Sequence, residues 1–209
     1  FGVYFYPPES LTYGIFLNSS GDRFVNEDSY GARIGYFCSQ QHNQKVYLLI
    51  QNEDFSPSIY MDKLPVIAVA DTFEELENEA GFEPNTLSVT AKKYNGYVNE
   101  GLDKAFRKDP QWLKEICNPP YALIDYSFDA QRSPAYSQET GPLMFTLGGL
   151  ETLKTGEVLD KNGAIIPKLF AAGRTTAGLP RTGKGYSSGM SVGDATFFGR
   201  MAGKSASKK

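Results

Sequence analysis

Histidine is nearly absent from this 209-residue chain, which has one His, two Cys and one Trp. His42 stands alone in a polar stretch, Ser39 to Gln44, so a histidine-based triad or a His-rich metal centre has little material to draw on. A solvated surface histidine is expected. Cys38 and Cys117 lie far apart without a C-x-x-C spacing, which argues against a disulfide framework and a zinc site; reduced, buried thiols and no bound metal are expected. No apolar run approaches the ~20 residues that cross a bilayer, and no charged-then-apolar leader opens the chain. A cytoplasmic protein without a transmembrane segment is therefore expected. Basic surplus is missing too: the net charge of -3 gives no reason to expect nucleic acid or an anionic membrane as partner.

What is present is ordinary globular composition, 41% apolar and 22% charged, enough for one sizeable core or two small ones. The opening residues Phe1 to Pro8 read like the middle of a domain, so a fragment or processed product is expected. Gly14 to Asn18, a turn over Ser19 to Asp22, and Arg23 to Val25 carry the turn chemistry of a β-hairpin. Val46 to Ile50 suits a buried strand. Thr72 to Glu75 is a capping box and Gly81 closes the short helix behind it. Leu87, Ala91, Tyr94 and Val98, spaced four, three and four, share one face of a further helix. The charged stretch Gly101 to Ile116 is expected to hold one more helix, ended by Pro119-Pro120.

Glycines crowd the stretch from Gly148 to Gly203, where they alternate with short apolar segments, as they do where backbone must approach something closely. Leu169 to Gly173 reads as a strand entering a glycine-rich loop, and Ser191 to Ala202 as a helix whose N-terminus faces that loop. Together they predict an anion or cofactor site. Two nucleotide motifs fail here. Gly178 to Lys184 has P-loop spacing, but Gly185 cannot supply the hydroxyl that Mg²⁺ requires and Pro180 removes a cradling N–H. Gly183 to Gly189 resembles a dinucleotide fingerprint with one residue too many and no βαβ unit behind it.

Three blocks in order carry a family signal: Gly21 to Tyr30; Ala70-Asp71-Thr72 through Tyr94-Asn95 to Pro119-Pro120-Tyr121-Ala122; and Thr146-Leu147-Gly148-Gly149-Leu150 to the end. The last block includes Gly173-Arg174-Thr175-Thr176 and Gly185 to Ser191. In this order they resemble the FAD-dependent oxidoreductases of the fumarate reductase/succinate dehydrogenase flavoprotein superfamily, nearest to the 3-ketosteroid dehydrogenase branch. The N-terminal ADP-binding half is not among the blocks.

That resemblance implies an α+β capping domain followed by the C-terminal part of an α/β, Rossmann-like FAD-binding domain. The implied boundaries are 1–13 for the end of a preceding FAD-domain segment, 14–143 for the substrate-capping domain and 144–209 for the returning FAD-domain segment. FAD is the implied cofactor, contacted by Gly173, Arg174, Ser187, Gly189, Met190 and Ser191; Arg174 stands where relatives commonly have glutamate. Fumarate reductases hold a dicarboxylate with a histidine and arginines. The matching positions here are Phe145, Tyr186 and Phe55, and rings and a phenol cannot offset the desolvation of two carboxylates. By similarity to 3-ketosteroid dehydrogenases, Tyr186 would donate to a substrate ketone with Ser188 or the Gly189 N–H assisting. Tyr30 would accept or relay the proton, and Phe145 and Gly149 would line the pocket.

The implied activity is introduction of a C=C bond α,β to the ketone of an apolar, steroid-like substrate, with an external electron acceptor. Two alternatives stand beside it: an enone or enoate reductase of the same superfamily, and a non-catalytic fragment that binds no flavin unless the missing N-terminal half completes it.

Overall fold

The computed structural model describes residues 9–55, 65–131, 147–179 and 182–208. The chain divides into two compact units, Phe1–Leu143 and Met144–Lys209.

The first unit is built on a four-stranded antiparallel sheet ordered β1-β2-β4-β3, with β1 at Ile15–Asn18, β2 at Val46–Gln51, β3 at Val66–Ala70 and β4 at Tyr121–Asp125. Strand side chains alternate between faces, and here both faces of β1, β2 and β4 are covered, while Val66, Ile67 and Val69 of β3 are exposed. Phe16, Val46, Leu48, Ile50 and Ile124 pack with Ile34 and Cys38 of α1 (Gly31–Ser39). Ile15, Leu17, Leu49, Tyr121 and Leu123 pack on the other face with Leu76 of α2 (Phe73–Ala80) and Leu87 and Tyr94 of α3 (Thr86–Asn99). Double burial explains why β2 reads as an unbroken apolar run. Leu11, in a 3-10 turn at Glu9–Tyr13, belongs to the first of these cores.

The hairpin turn forms with Gly21 at φ +74, where an added Cβ would lie 2.2 Å from Thr86 Cγ2. Its return arm is reduced to one bridge, Leu17 to Arg23. Thr72 Oγ1 accepts from Glu75 N at 3.2 Å, and Gly81 ends α2 in the left-handed region. A second cap was not legible locally. The Glu77 carboxylate, buried in α2, accepts from Asn85 N (2.7 Å), Leu87 N (2.7 Å) and Ser88 N (3.1 Å), and so satisfies the free donors of α3 from a neighbouring helix.

The helix expected over Gly101 to Ile116 does not form; only a 3-10 turn at Pro110–Trp112 appears there. Asp103 takes the backbone N–H groups of Ala105, Phe106 and Lys108, and Arg107 adopts φ +59. A side chain that captures nearby donors offers the backbone a non-helical alternative. Cys38 is buried as expected, but Cys117 is exposed, because it lies in the irregular run between Trp112 and β4 rather than under a helix. His42 is exposed on the surface. A short helix, α4 at Phe128–Gln131, follows β4.

The second unit pairs β5 (Glu157–Leu159) with β6 (Ile165–Phe170) antiparallel, and adds a parallel bridge from Leu150 to Thr176. Helix α5 (Met190–Ala206) closes it. Gly156 and Gly173 let backbone lie directly on α5: an added Cβ would meet Ala202 Cβ at 2.5 Å and Ala195 Cβ at 3.2 Å. Among the described residues, no helix is long and apolar enough to cross a membrane.

Candidate functional site

In the first unit the loop Gly21 to Tyr30 folds its charges inward. Arg23 donates from Nε to Glu27 Oε1 (2.8 Å) and from Nη2 to Glu27 Oε2 (2.7 Å), and Nη2 also pairs with Asp103 Oδ2 at 2.8 Å. The guanidinium lies over the Tyr94 and Phe106 rings, 5.0 and 5.1 Å from their centroids. Lys108 Nζ donates to Gly14 O at 2.7 Å and stands 3.4 Å from Glu27 Oε2, which leaves two cations and two carboxylates buried together. Glu27 also accepts from Phe16 N at 3.0 Å. Burial opposes its ionisation, but Lys108 and Arg23 outweigh that and hold the carboxyl below the usual carboxylate range. These bonds pin β1 to the loop that leads into Tyr30.

Tyr30 is half-buried and serves as the N-cap of α1, its carbonyl accepting from Arg33 N (2.8 Å) and Ile34 N (3.1 Å). Asn26 Nδ2 donates to Arg107 O at 3.1 Å, which ties this loop to the 103–109 corner. Phe55 is 41% exposed. Phe145 lies outside the described residues.

In the second unit, Gly149 takes φ +153, and a Cβ there would sit 2.4 Å from Thr175 O, so the backbone of Gly149-Leu150 is laid against Thr175-Thr176. Gly173 opens a 3-10 turn that carries Arg174. Gly178, at φ +61, is wedged beside two charged groups; an added Cβ would lie 3.0 Å from Asp194 Oδ2 and 3.6 Å from Arg174 Nη2. Asp194 is 2% exposed and accepts from Leu179 N at 3.0 Å. Sequence reading passed over Asp194, although an acid in the second turn of a glycine-rich helix was a signal.

Tyr186 is 8% exposed and its hydroxyl lies 2.9 Å from Ser191 Oγ in the first turn of α5. Ser187, Ser188 and Gly189 between them are exposed. Gly189 is the N-cap of α5 at φ +82, without a side chain to cap the helix, and an added Cβ there would meet nothing within 4 Å. Met190 N donates to Ser187 O at 3.3 Å, and the first-turn N–H groups give this helix end a partial positive charge. A positive helix end with open space at Gly189, flanked by a phenol and exposed serine hydroxyls, fits the electron-rich edge of a flavin ring. The structure thus brings Tyr186 together with Ser191 and sets Ser187, Ser188, Gly189 and Met190 at one helix end.

The curated relatives are consistent with that fit. The chain is 28% identical over 198 residues to a fumarate reductase (cytochrome) of Shewanella frigidimarina, covering 93% of this chain and 32% of that protein. It is 28% identical over 226 residues to the 3-oxosteroid 1-dehydrogenase of Mycobacterium tuberculosis, covering 90% and 37%. Among solved structures it superposes with a TM-score of 0.76 on the 3-ketosteroid-Δ4-(5α)-dehydrogenase of Rhodococcus jostii RHA1 bound to 4-androstene-3,17-dione, at 35% identity over 96% of this chain and 40% of that one. The chain therefore spans about a third of the length of these curated relatives. The family model described as an FAD binding domain matches residues 12–189, and by that match the chain belongs to the FAD-binding flavoproteins of the fumarate reductase and 3-ketosteroid dehydrogenase superfamily.

Proposed function

We propose that the chain is the substrate-capping part and the C-terminal, Rossmann-like part of an FAD-dependent dehydrogenase that introduces a C=C bond next to the ketone of an apolar, steroid-like substrate. The observation that carries this reading is the Tyr186 hydroxyl held 2.9 Å from Ser191 Oγ at the open N-terminus of α5. A neutral phenol suits a ketone oxygen. It offers nothing to balance a carboxylate, which a dicarboxylate site would need.

In this reading Tyr186 donates to the ketone oxygen, assisted by Ser188 or the Gly189 N–H, and so stabilises enolate character as the neighbouring C–H loses its proton. Ser191 holds the phenol in place. When Ser191 donates to the Tyr186 oxygen, it strengthens that phenol as a donor in turn. Tyr30 accepts or relays the proton. Bound FAD would supply the hydride acceptor for the adjacent carbon, with an external acceptor as the destination of the electrons. Gly173, Arg174, Ser187, Met190 and Ser191 serve the cofactor, while Gly149 and Phe145 line the substrate pocket. The same arrangement, run backwards, reduces an enone or enoate, and the likeness to a fumarate reductase favours keeping that reaction in view.

The test is turnover of 4-androstene-3,17-dione with an artificial electron acceptor by the FAD-loaded enzyme. Turnover is expected with the steroid and not with succinate, and Tyr186→Phe should lower kcat by roughly 100-fold or more with the bound-flavin spectrum unchanged. Oxidation of succinate, or full activity in Tyr186→Phe, would overturn the reading.

A further inference from the structure

A cleft of about 350 Å³ opens in the first unit beside the loop that precedes Tyr30. Its walls are aromatic: Phe24, Phe37 and Phe106, each half-buried, turn their remaining surface into it. Two cations join them, Arg33 from the first turn of α1 and Arg107 from the corner after Phe106. The size falls in the ~300–1,000 Å³ range of small-molecule pockets, and apolar walls with a few convergent polar groups are their usual lining.

Among the described residues the two guanidiniums are not spent on the protein. Among the described residues neither is in an ion pair or a side-chain hydrogen bond; Arg33 only lies over the Phe37 ring, 5.9 Å from its centroid. The nearby carboxylates are engaged with backbone: Asp28 accepts from Asp109 N at 2.5 Å, and Asp109 accepts from Gln111 N at 3.0 Å. Arg107 is held at φ +59, where a side chain is costly, by its own N–H to Asp103 O (3.0 Å) and by Asn26 Nδ2 to its carbonyl (3.1 Å). Glycine or asparagine would sit there with less strain. An arginine kept at such a position, with its charge at the mouth of an aromatic cleft, points to a ligand.

We infer that this cleft binds a small amphipathic anion, a carboxylate carried on an aromatic or alicyclic ring system. The ring would lie against the three phenylalanines and the carboxylate would take charge-assisted hydrogen bonds from Arg33 and Arg107. A bare inorganic anion would leave the aromatic walls wet, and a neutral ring would leave both cations unanswered. The site lies within the first unit and needs no flavin, so it stands or falls separately from the dehydrogenase reading.

Calorimetric titration of the 209-residue chain with 1-naphthoate, 1-naphthamide and inorganic phosphate tests it. Saturable 1:1 binding of naphthoate is expected, with the amide and phosphate each at least about tenfold weaker. Arg33→Gln and Arg107→Gly should each weaken naphthoate severalfold; the first is an exposed helix position and the second relieves backbone strain, so both keep the fold. Absence of saturable naphthoate binding, equal binding of the amide or of phosphate, or affinity untouched by both substitutions would overturn the inference.

Discussion

Replacing Glu27 by glutamine tests the electrostatic arrangement at the centre of the first unit. The wild-type cluster is neutral, with Arg23 and Lys108 set against Glu27 and Asp103, and the four side chains are 6%, 0%, 0% and 0% exposed respectively. Glu27→Gln keeps the shape but leaves one positive charge in excess, and with its oxygen kept on Phe16 N it turns an amide NH₂ toward Arg23 and Lys108, which can only donate. Breaking a buried pair from one side costs about 3–5 kcal/mol. Because the amide oxygen can still accept from Phe16 N, the lower end, about 3 kcal/mol, is expected here.

Urea unfolding of the 209-residue chain, followed by circular dichroism, reads this as a lower midpoint with an unchanged slope. Lys108→Met in the Glu27→Gln background restores neutrality, so the double substitution should cost at least about 1 kcal/mol less than the sum of the two singles. The pH dependence has a definite sign. Glu27 is pulled below its ordinary 4.5 and Asp103 below its ordinary 3.8 in the folded chain, so their stabilisation is complete above those values and is lost as pH falls through the depressed ones. Glu27→Gln should flatten that acid limb. A single-substitution cost under about 1 kcal/mol, or strict additivity within ~0.5 kcal/mol, would refute the account.

Two further predictions concern local structure. Glu77→Ala should destabilise the chain by about 2 kcal/mol, because three N–H groups at the start of α3 lose their acceptor; amide hydrogen exchange should show faster exchange at Leu87 and Ser88 than in the parent. Thiol titration of the native chain with a disulfide reagent should modify Cys117 rapidly and Cys38 only on unfolding, since burial pushes the Cys38 thiol well above its usual range; equal rates would contradict the fold.

Periodicity and turn chemistry, which act over a few residues, were readable directly. The turn at Gly21, the caps at Thr72 and Gly81, the apolar face of α3 and the helix after Gly189 all follow from local rules, and each forms. The motif order of the last block likewise pointed to the flavoprotein family through residues that now cluster around the start of α5. Local rules failed between Gly101 and Ile116, a charged stretch expected to hold one more helix.

The sequence by itself therefore determined the turn at Gly21, β2, α2, α3, α5 and the family, because caps, turns and motif spacing depend on near neighbours along the chain. Only tertiary structure decided that Asp103 and Lys108 turn inward to meet Arg23 and Glu27, some 80 positions earlier. It also decided that Glu77 caps a helix other than its own, and that Arg33 and Arg107 share one cleft. Each of these depends on a distant partner that satisfies a buried charge or donor, and no window of neighbouring residues contains it.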